Sequence, residues 1–489
     1  MRDVLPIINT APSSSGIRKP LCVDLDGTLI RTDALIEGFL SIVSGRDGIY
    51  KLPRLLTRSR AAFKQRVAAL SDLKPELLPY NAELIEFLRG QKQSGRRIVL
   101  VTAADTQTAR AIASYLGLFD EIVASDGERN LKGETKAVEL VRRYGIKGFD
   151  YAGDSRADLA VWRAADEIII VNAPHGVARG ARLLGKVVTE IDNRHSLVRA
   201  AIRGMRPHQW VKNLLVFVPL LVSRSFTDWF GFLGGLGIFA SLCMAASGIY
   251  LLNDLVDLTA DRRHTNKRNR PFASGALPLL FGAFLAMALL TIGFALALSV
   301  GAAHLLAVYL GISLAYSLAF KQYPLLDVFI LSALYTLRIV VGGVASGHQA
   351  TLWLLAFSGF TFLSLALVKR AGELASSGQA GSPHAVTVRG YFPEDRQILQ
   401  MFGVASAFAS SVVLTLFVSS TAASQPYRSP ELLWGLVPLI LFWQLRLWLS
   451  AQRGHMHDDP IVYAYRDWVS WLVAAGVLVV MLVASSGVW

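Results

Sequence analysis

Cysteine is nearly absent: the 489 residues hold two, Cys22 and Cys243. That excludes a disulfide-stapled scaffold and a cysteine-ligated zinc centre. One falls in an expected buried strand and the other in an expected apolar helix, so both read as packing residues. Charge is also scarce. Only 17% of residues are charged against 53% hydrophobic, and mean hydropathy is +0.42, which excludes a wholly water-soluble chain. From Phe230 to Leu252 no charged residue occurs. The opening residues lack a basic start, an apolar core and a small-residue cleavage site, so no leader is expected, and residues 1–19 read as a flexible tail. The net charge of +13 sits largely in short loops between apolar runs. It therefore points to a membrane and not to nucleic acid.

The composition changes near residue 205. Over 20–174 strands alternate with helices, the pattern of an α/β parallel-sheet domain. Strands are expected at Leu21–Leu25, Ile98–Thr102, Glu121–Ala124, Asp150–Gly153 and Glu167–Val171, with a helical cap around 33–95. Residues 175–205 read as a linker. Residues 206–489 read as an all-α membrane domain of about nine helices, at 212–225, 230–252, 277–299, 302–320, 325–345, 350–369, 399–420, 431–450 and 468–488. Positive charges, Lys369 and Arg370 among them, crowd the loops after the even-numbered helices, while the opposite loops hold only Arg224 and Arg428. The asymmetry predicts an inner-membrane protein with its N-terminal domain and acidic loop in the cytoplasm. The oligomeric state is not readable.

Two constellations carry chemistry. In VDLDGTLIRTD, Asp24 and Asp26 stand where a strand gives way to a glycine turn, the edge at which open α/β sheets bind ligands. Two such aspartates can divide the roles of nucleophile and general acid/base. Thr102 ends a second strand with a hydroxyl suited to phosphate, Asp154 and Asp158 arrive at the same edge, and Lys136 (or its rival Lys132) can neutralise phosphate charge. The second constellation is NDLVDLTADRRHTNKRNRP, 253–271. Asp254, Asp257 and Asp261 share one helical face, and Arg262, Arg263, Lys267, Arg268 and Arg270 follow. Carboxylates at that spacing suit Mg²⁺, and the cations suit the phosphates it bridges. A solvated basic loop would explain the cations but not three acids on one face.

The first set resembles the haloacid dehalogenase-like phosphatase superfamily over about 155 residues. The resemblance implies that Asp24 attacks phosphorus and Asp26 protonates the leaving oxygen. It further implies that Asp24, Asp26 and Asp154 form the Mg²⁺ site and that Thr102 and Lys136 bind phosphate. The acidic cluster resembles the first aspartate-rich motif of UbiA-type prenyltransferases. Together with RPHQWVKN, YSLAFKQYPLLD, TLRIVVGG and HDDPIVYAYRD, it is similar more narrowly to polyprenyl-phosphate (decaprenyl-phosphate) phosphoribosyltransferases. That implies 5-phosphoribose transfer from phosphoribosyl diphosphate to a polyprenyl phosphate, followed by removal of the 5-phosphate. Asp254, Asp257 and Asp261 would take Mg²⁺ with Asn253 beside them. Lys267, Arg270 and Lys321 would meet phosphates and Lys212 the lipid phosphate, while Asp327 would meet metal or a sugar hydroxyl. Arg338, deep in an apolar helix, needs a polar cavity or a partner; Asp458 and Asp459 form either a loop turn or a substrate contact. An aromatic prenyltransferase using polyprenyl diphosphate is the competing enzyme. A transporter fits less well, because the acids lie at a helix end and not at mid-membrane.

Overall fold

Six short strands build the N-terminal sheet: β1 (Leu21–Val23), β2 (Ile98–Asp105), β3 (Glu121–Ser125), β4 (Asp150–Gly153), β5 (Glu167–Val171) and β6 (Lys186–Ile191). All neighbours pair in parallel, in the order β3-β2-β1-β4-β5-β6. Such a sheet is covered on both faces, so its central strands are apolar throughout. Leu21 and Val23 enter one core with Leu84 and Leu100, while Cys22 enters the other with Tyr151, Trp162 and Ile168. β6 lies inside the stretch expected as a linker. Its β-branched run Val187–Val188–Thr189 is the local signal, and pairing with β5 completes the sheet.

The structure is a computed structural model that describes residues 18–45, 47–55, 59–126, 129–223, 228–378, 390–420, 427–456 and 459–486. Most of the expected tail lies outside the described residues, as do Arg224, Arg389, Asp458 and Trp489. The described chain forms two compact units, one of residues up to Ala201 with Asp254–Gly282, the other of Ile202–Asn253 with Ala283 onward.

In the first unit a cap follows β1. Asp33 starts the helix Ala34–Val43 by accepting the N–H groups of Leu35 and Ile36. That helix packs through Ile42 against Leu55 and Val67, the latter on the helix Arg60–Leu70.

The second unit is helical. Among the described residues, seven helices are long and apolar enough to cross a bilayer: Trp229–Val256, Leu279–Ser299, Leu326–Ser346, Leu352–Ala375, Asp395–Ser419, Pro430–Gln452 and Trp468–Ser486. Two of the nine expected spans are shorter. Ala303–Leu318 has 16 residues, and the described part of 212–225 belongs to a 3₁₀ stretch, Pro207–Phe217, and a five-residue helix after it. Pro207 and Pro219 each lack the N–H that a continuous α-helix through this stretch would use. Close crossings depend on glycine. A Cβ at Gly342 would lie 2.1 Å from Val216 O, and one at Gly403 would lie 1.9 Å from the Trp448 ring.

Candidate active sites

The sheet order reverses direction between β1 and β4, which makes that crevice the expected binding position. Asp24 and Asp26 follow β1, and Asp154 and Asp158 follow β4. One carboxylate oxygen from each of Asp24, Asp154 and Asp158 lies within 4.8 Å of the others. Three hard oxygen donors at that separation fit a divalent cation such as Mg²⁺. Asp26 is outside this group; its carboxylate accepts the Ala34 N–H at 2.7 Å. Gly27 makes the arrangement possible. It adopts φ +80°, and a Cβ there would fall 2.3 Å from Asp154 Oδ2.

Lys136, 3% exposed, donates to Asp24 Oδ1 at 2.8 Å and to Tyr151 OH at 2.9 Å. Its rival Lys132 is exposed on the cavity rim. Tyr151 passes the bond on to Asp158, which also accepts the Ser155 N–H and hydroxyl. Burial pushes the Asp24 carboxyl up to about 6 and Asp26 up to about 7. Burial, then the Asp24 charge, raises Asp154 well above its ordinary value. Burial disfavours the Lys136 ammonium, but Asp24 and Asp158 outweigh it and raise its pKa. A cavity of about 560 Å³ opens here, walled by Phe63 and Lys64 of the cap and by Ala103, Ala104 and Asn130. Thr102 is fully buried and its hydroxyl accepts the Ala104 N–H; it is not among the lining residues. Lys64 was not singled out from sequence. It donates to Ala103 O at 2.6 Å and Asn130 Oδ1 at 2.8 Å.

The second unit encloses a polar cavity of about 620 Å³. Lys212 and Lys369 both contact Asp459 Oδ2, at 2.8 and 3.3 Å, and Tyr335 donates its hydroxyl to the same carboxylate. Arg338 lies over the Tyr309 and Tyr335 rings and donates to Asn213 Oδ1, Leu334 O and Tyr309 OH. Its depth is thus explained by partners and by the cavity it lines. Arg206, Gln209, Asn253 and Glu373 are also part of the polar wall. Arg206 and Tyr335 had no assigned role from sequence; Asp459 was read as a loop turn or a substrate contact, and Lys369, read as a loop cation, lies inside the helix Leu352–Gly378. A signal existed: Tyr309, Ser313 and Tyr316 recur at spacings of four and three along an apolar helix, which marks one polar face.

Other expected residues lie elsewhere. Asp327 is fully buried, held by Arg370 and by the Tyr391 hydroxyl at 2.5 Å, and does not line the cavity. Arg370, read as a loop cation, is inside the helix Leu352–Gly378 and 1% exposed. Lys321 lies in a 3₁₀ turn and does not line the cavity either. Among the acidic trio, Asp254 and Asp261 are buried, and Arg270 Nη1 joins them at 3.1 and 2.8 Å. Asp257 is half-buried at the start of the helix Leu258–Arg263, and Lys267 is exposed. Among the described residues the three do not form a tight three-carboxylate group like that of the soluble domain.

Residues 214–459 match the model of the UbiA prenyltransferase family, and residues 21–163 match that of the haloacid dehalogenase-like hydrolases. The chain belongs to the UbiA prenyltransferase family. It carries a haloacid dehalogenase-like domain on the same polypeptide. An uncharacterized protein of Sinorhizobium fredii is 38% identical across 93% of this chain and 89% of its own length, so the fused arrangement recurs. The nodulation protein NoeC of Azorhizobium caulinodans is 36% identical across 55% of this chain and 88% of its own. A decaprenyl-phosphate phosphoribosyltransferase of Corynebacterium glutamicum is 33% identical across 40% of this chain and 61% of its own.

Proposed function

We propose that the membrane enzyme transfers 5-phosphoribose from phosphoribosyl diphosphate to a polyprenyl phosphate, and that the soluble domain then removes the 5-phosphate. The observation that carries this reading is the charge inventory of the membrane cavity. Four cations, Arg206, Lys212, Arg338 and Lys369, line it against two carboxylates, Asp459 and Glu373, within a bundle of apolar helices. A prenyl diphosphate has one anionic end and needs an apolar wall for the rest. Phosphoribosyl diphosphate is anionic at both ends and polar between them, which suits a cavity so lined. The likeness to decaprenyl-phosphate phosphoribosyltransferases supports the same choice.

In this reading a lipid phosphate oxygen attacks the anomeric carbon, and the bond from that carbon to the diphosphate oxygen breaks. Asp459 keeps Lys212 and Lys369 spaced until phosphate oxygens take its place, with Lys212 toward the lipid phosphate. Asn253 lines the cavity, and the helix Trp229–Val256 carries Asp254 next. Asp254, Asp257 and Asp261 would hold Mg²⁺, which screens charge on the leaving diphosphate; Arg270, Lys267 and Lys321 supply further cations for phosphate. In the soluble domain Asp24 attacks phosphorus to form an aspartyl-phosphate, Asp26 protonates the leaving sugar oxygen, and Lys136 offsets phosphate charge. Asp24, Asp154 and Asp158 would hold the cation there. The loop charges support a cytoplasmic location for both sites, and tethering raises the local concentration of the intermediate.

Purified protein given phosphoribosyl diphosphate and polyprenyl phosphate should release diphosphate and then inorganic phosphate. Asp24→Asn should stop at the phosphorylated lipid. Diphosphate release only from a polyprenyl diphosphate with an aromatic acceptor would replace this reading with prenyl transfer.

A further inference from the structure

Arg262 directly follows Asp261, yet its guanidinium is buried, unlike its exposed neighbours Arg263, Lys267 and Arg268. It is 6% exposed, and its two terminal nitrogens donate to the two Glu37 oxygens at 2.9 and 2.7 Å. Its Nε donates to Ala273 O at 3.0 Å, which ties the two ends of the basic segment together. Glu37 is 4% exposed and lies on the helix Ala34–Val43, the same helix whose Ala34 N–H holds Asp26. A second contact fixes the segment independently. Gly275 adopts φ +72°, and a Cβ there would lie 2.7 Å from Arg31 Cβ. All of these residues belong to one compact unit.

A buried bidentate ion pair is poor value as a stabiliser, because a well-packed apolar pair does as well or better. What it supplies is geometry: a planar guanidinium with all three nitrogens hydrogen-bonded has one orientation. The residue so fixed is adjacent to Asp261, whose carboxylate shares Arg270 with Asp254.

We infer that Glu37, on the phosphatase cap, is a positioning residue for the aspartate-rich segment: through Arg262 it sets Asp261 and the Asp254–Arg270–Asp261 arrangement. The inference rests on the proposed transfer reaction in assigning that arrangement to the donor's diphosphate and its cation. It makes a residue of one catalytic domain a determinant of substrate binding by the other.

The test uses the full chain in lipid nanodiscs, with Glu37→Gln, Glu37→Asp and Arg262→Lys. Glu37→Gln and Arg262→Lys should raise both the donor KM and the Mg²⁺ concentration needed for half-maximal diphosphate release by about 10–100-fold, the usual effect of losing a partner that orients metal ligands. The kcat should move much less. Glu37→Asp keeps the charge and should recover part of the loss. Arg96→Gln, which breaks a buried pair with Asp150 in the sheet, controls for simple destabilisation and should leave donor KM unchanged. Hydrogen exchange over 254–270 gives a readout that needs no turnover, and should rise in Glu37→Gln and not in Arg96→Gln. Unchanged exchange there, or an unchanged donor KM with an unchanged Mg²⁺ requirement, overturns the inference. If the parent protein releases no diphosphate from phosphoribosyl diphosphate, the transfer reading fails, and the exchange measurement still decides the positioning role.

Discussion

Lys136 holds Asp24, the proposed nucleophile. Removing its cation by Lys136→Met leaves Asp24 buried beside Asp154 and Asp158 with no counter-charge. Phosphate release from p-nitrophenyl phosphate should then fall by at least about 100-fold, as for loss of a preorganised electrostatic contact. The same carboxylates predict a pH dependence. Burial raises Asp24 to about 6 and Asp26 to about 7 from an ordinary value of 3.8. A folded-state pKa above the unfolded one gives stability that is full below the unfolded value and lost as pH rises through the folded one. Without metal, the thermal midpoint of the soluble unit should therefore decline between pH 4 and pH 7, and Mg²⁺ should flatten that decline. A midpoint that rises with pH in chelator would contradict the assignment. That Asp24, Asp26 and Asp154 arrive at one edge of the sheet was legible in the sequence, because strand ends and glycine turns announce themselves locally; that Asp26 stands outside the carboxylate group was not. Asp158 was ambiguous. Its place in the carboxylate group beside Asp24 and Asp154 depends on Tyr151 and Ser155 turning it inward, and no spacing rule specifies that.

At the level of elements, the membrane cavity depends on one close crossing. Gly342 lets the helix Leu326–Ser346 approach the 3₁₀ stretch Pro207–Phe217, which brings Arg338 to Asn213 at 3.0 Å. Gly342→Ala should cost about 1–3 kcal/mol by overpacking and lower diphosphate release while p-nitrophenyl phosphate hydrolysis persists. Equal loss of both activities would place the damage elsewhere. Long apolar helices were readable from hydropathy alone. The 3₁₀ stretch was not, because hydropathy does not tell 3₁₀ from α geometry, although Pro207 and Pro219 bracket it. Asp327 misled for a related reason. A carboxylate at a helix start looks available until a cation from another helix claims it, and Arg370 lies 43 residues further on.

For the molecule as a whole, both reactions are expected to need a divalent ion, so chelation should abolish diphosphate and phosphate release together and added Mg²⁺ should restore both. Survival of either activity in chelator would remove the cation from that site's account. A reporter fused at residue 1 should be active only in the cytoplasm. The two-part organisation was visible in the composition change near residue 205. The membership of Asp254–Gly282 in the unit that holds the sheet was not, since it rests on contacts such as Glu37 to Arg262, 225 positions apart.

The ionic knot of Asp327, Arg370 and Tyr391 has a last consequence. It joins the start of one membrane helix, the end of the next and the chain after residue 390. Co-expressed fragments split within 379–389 should accordingly find each other and restore a working enzyme, whereas Asp327→Ala should leave the two pieces as strangers in the bilayer.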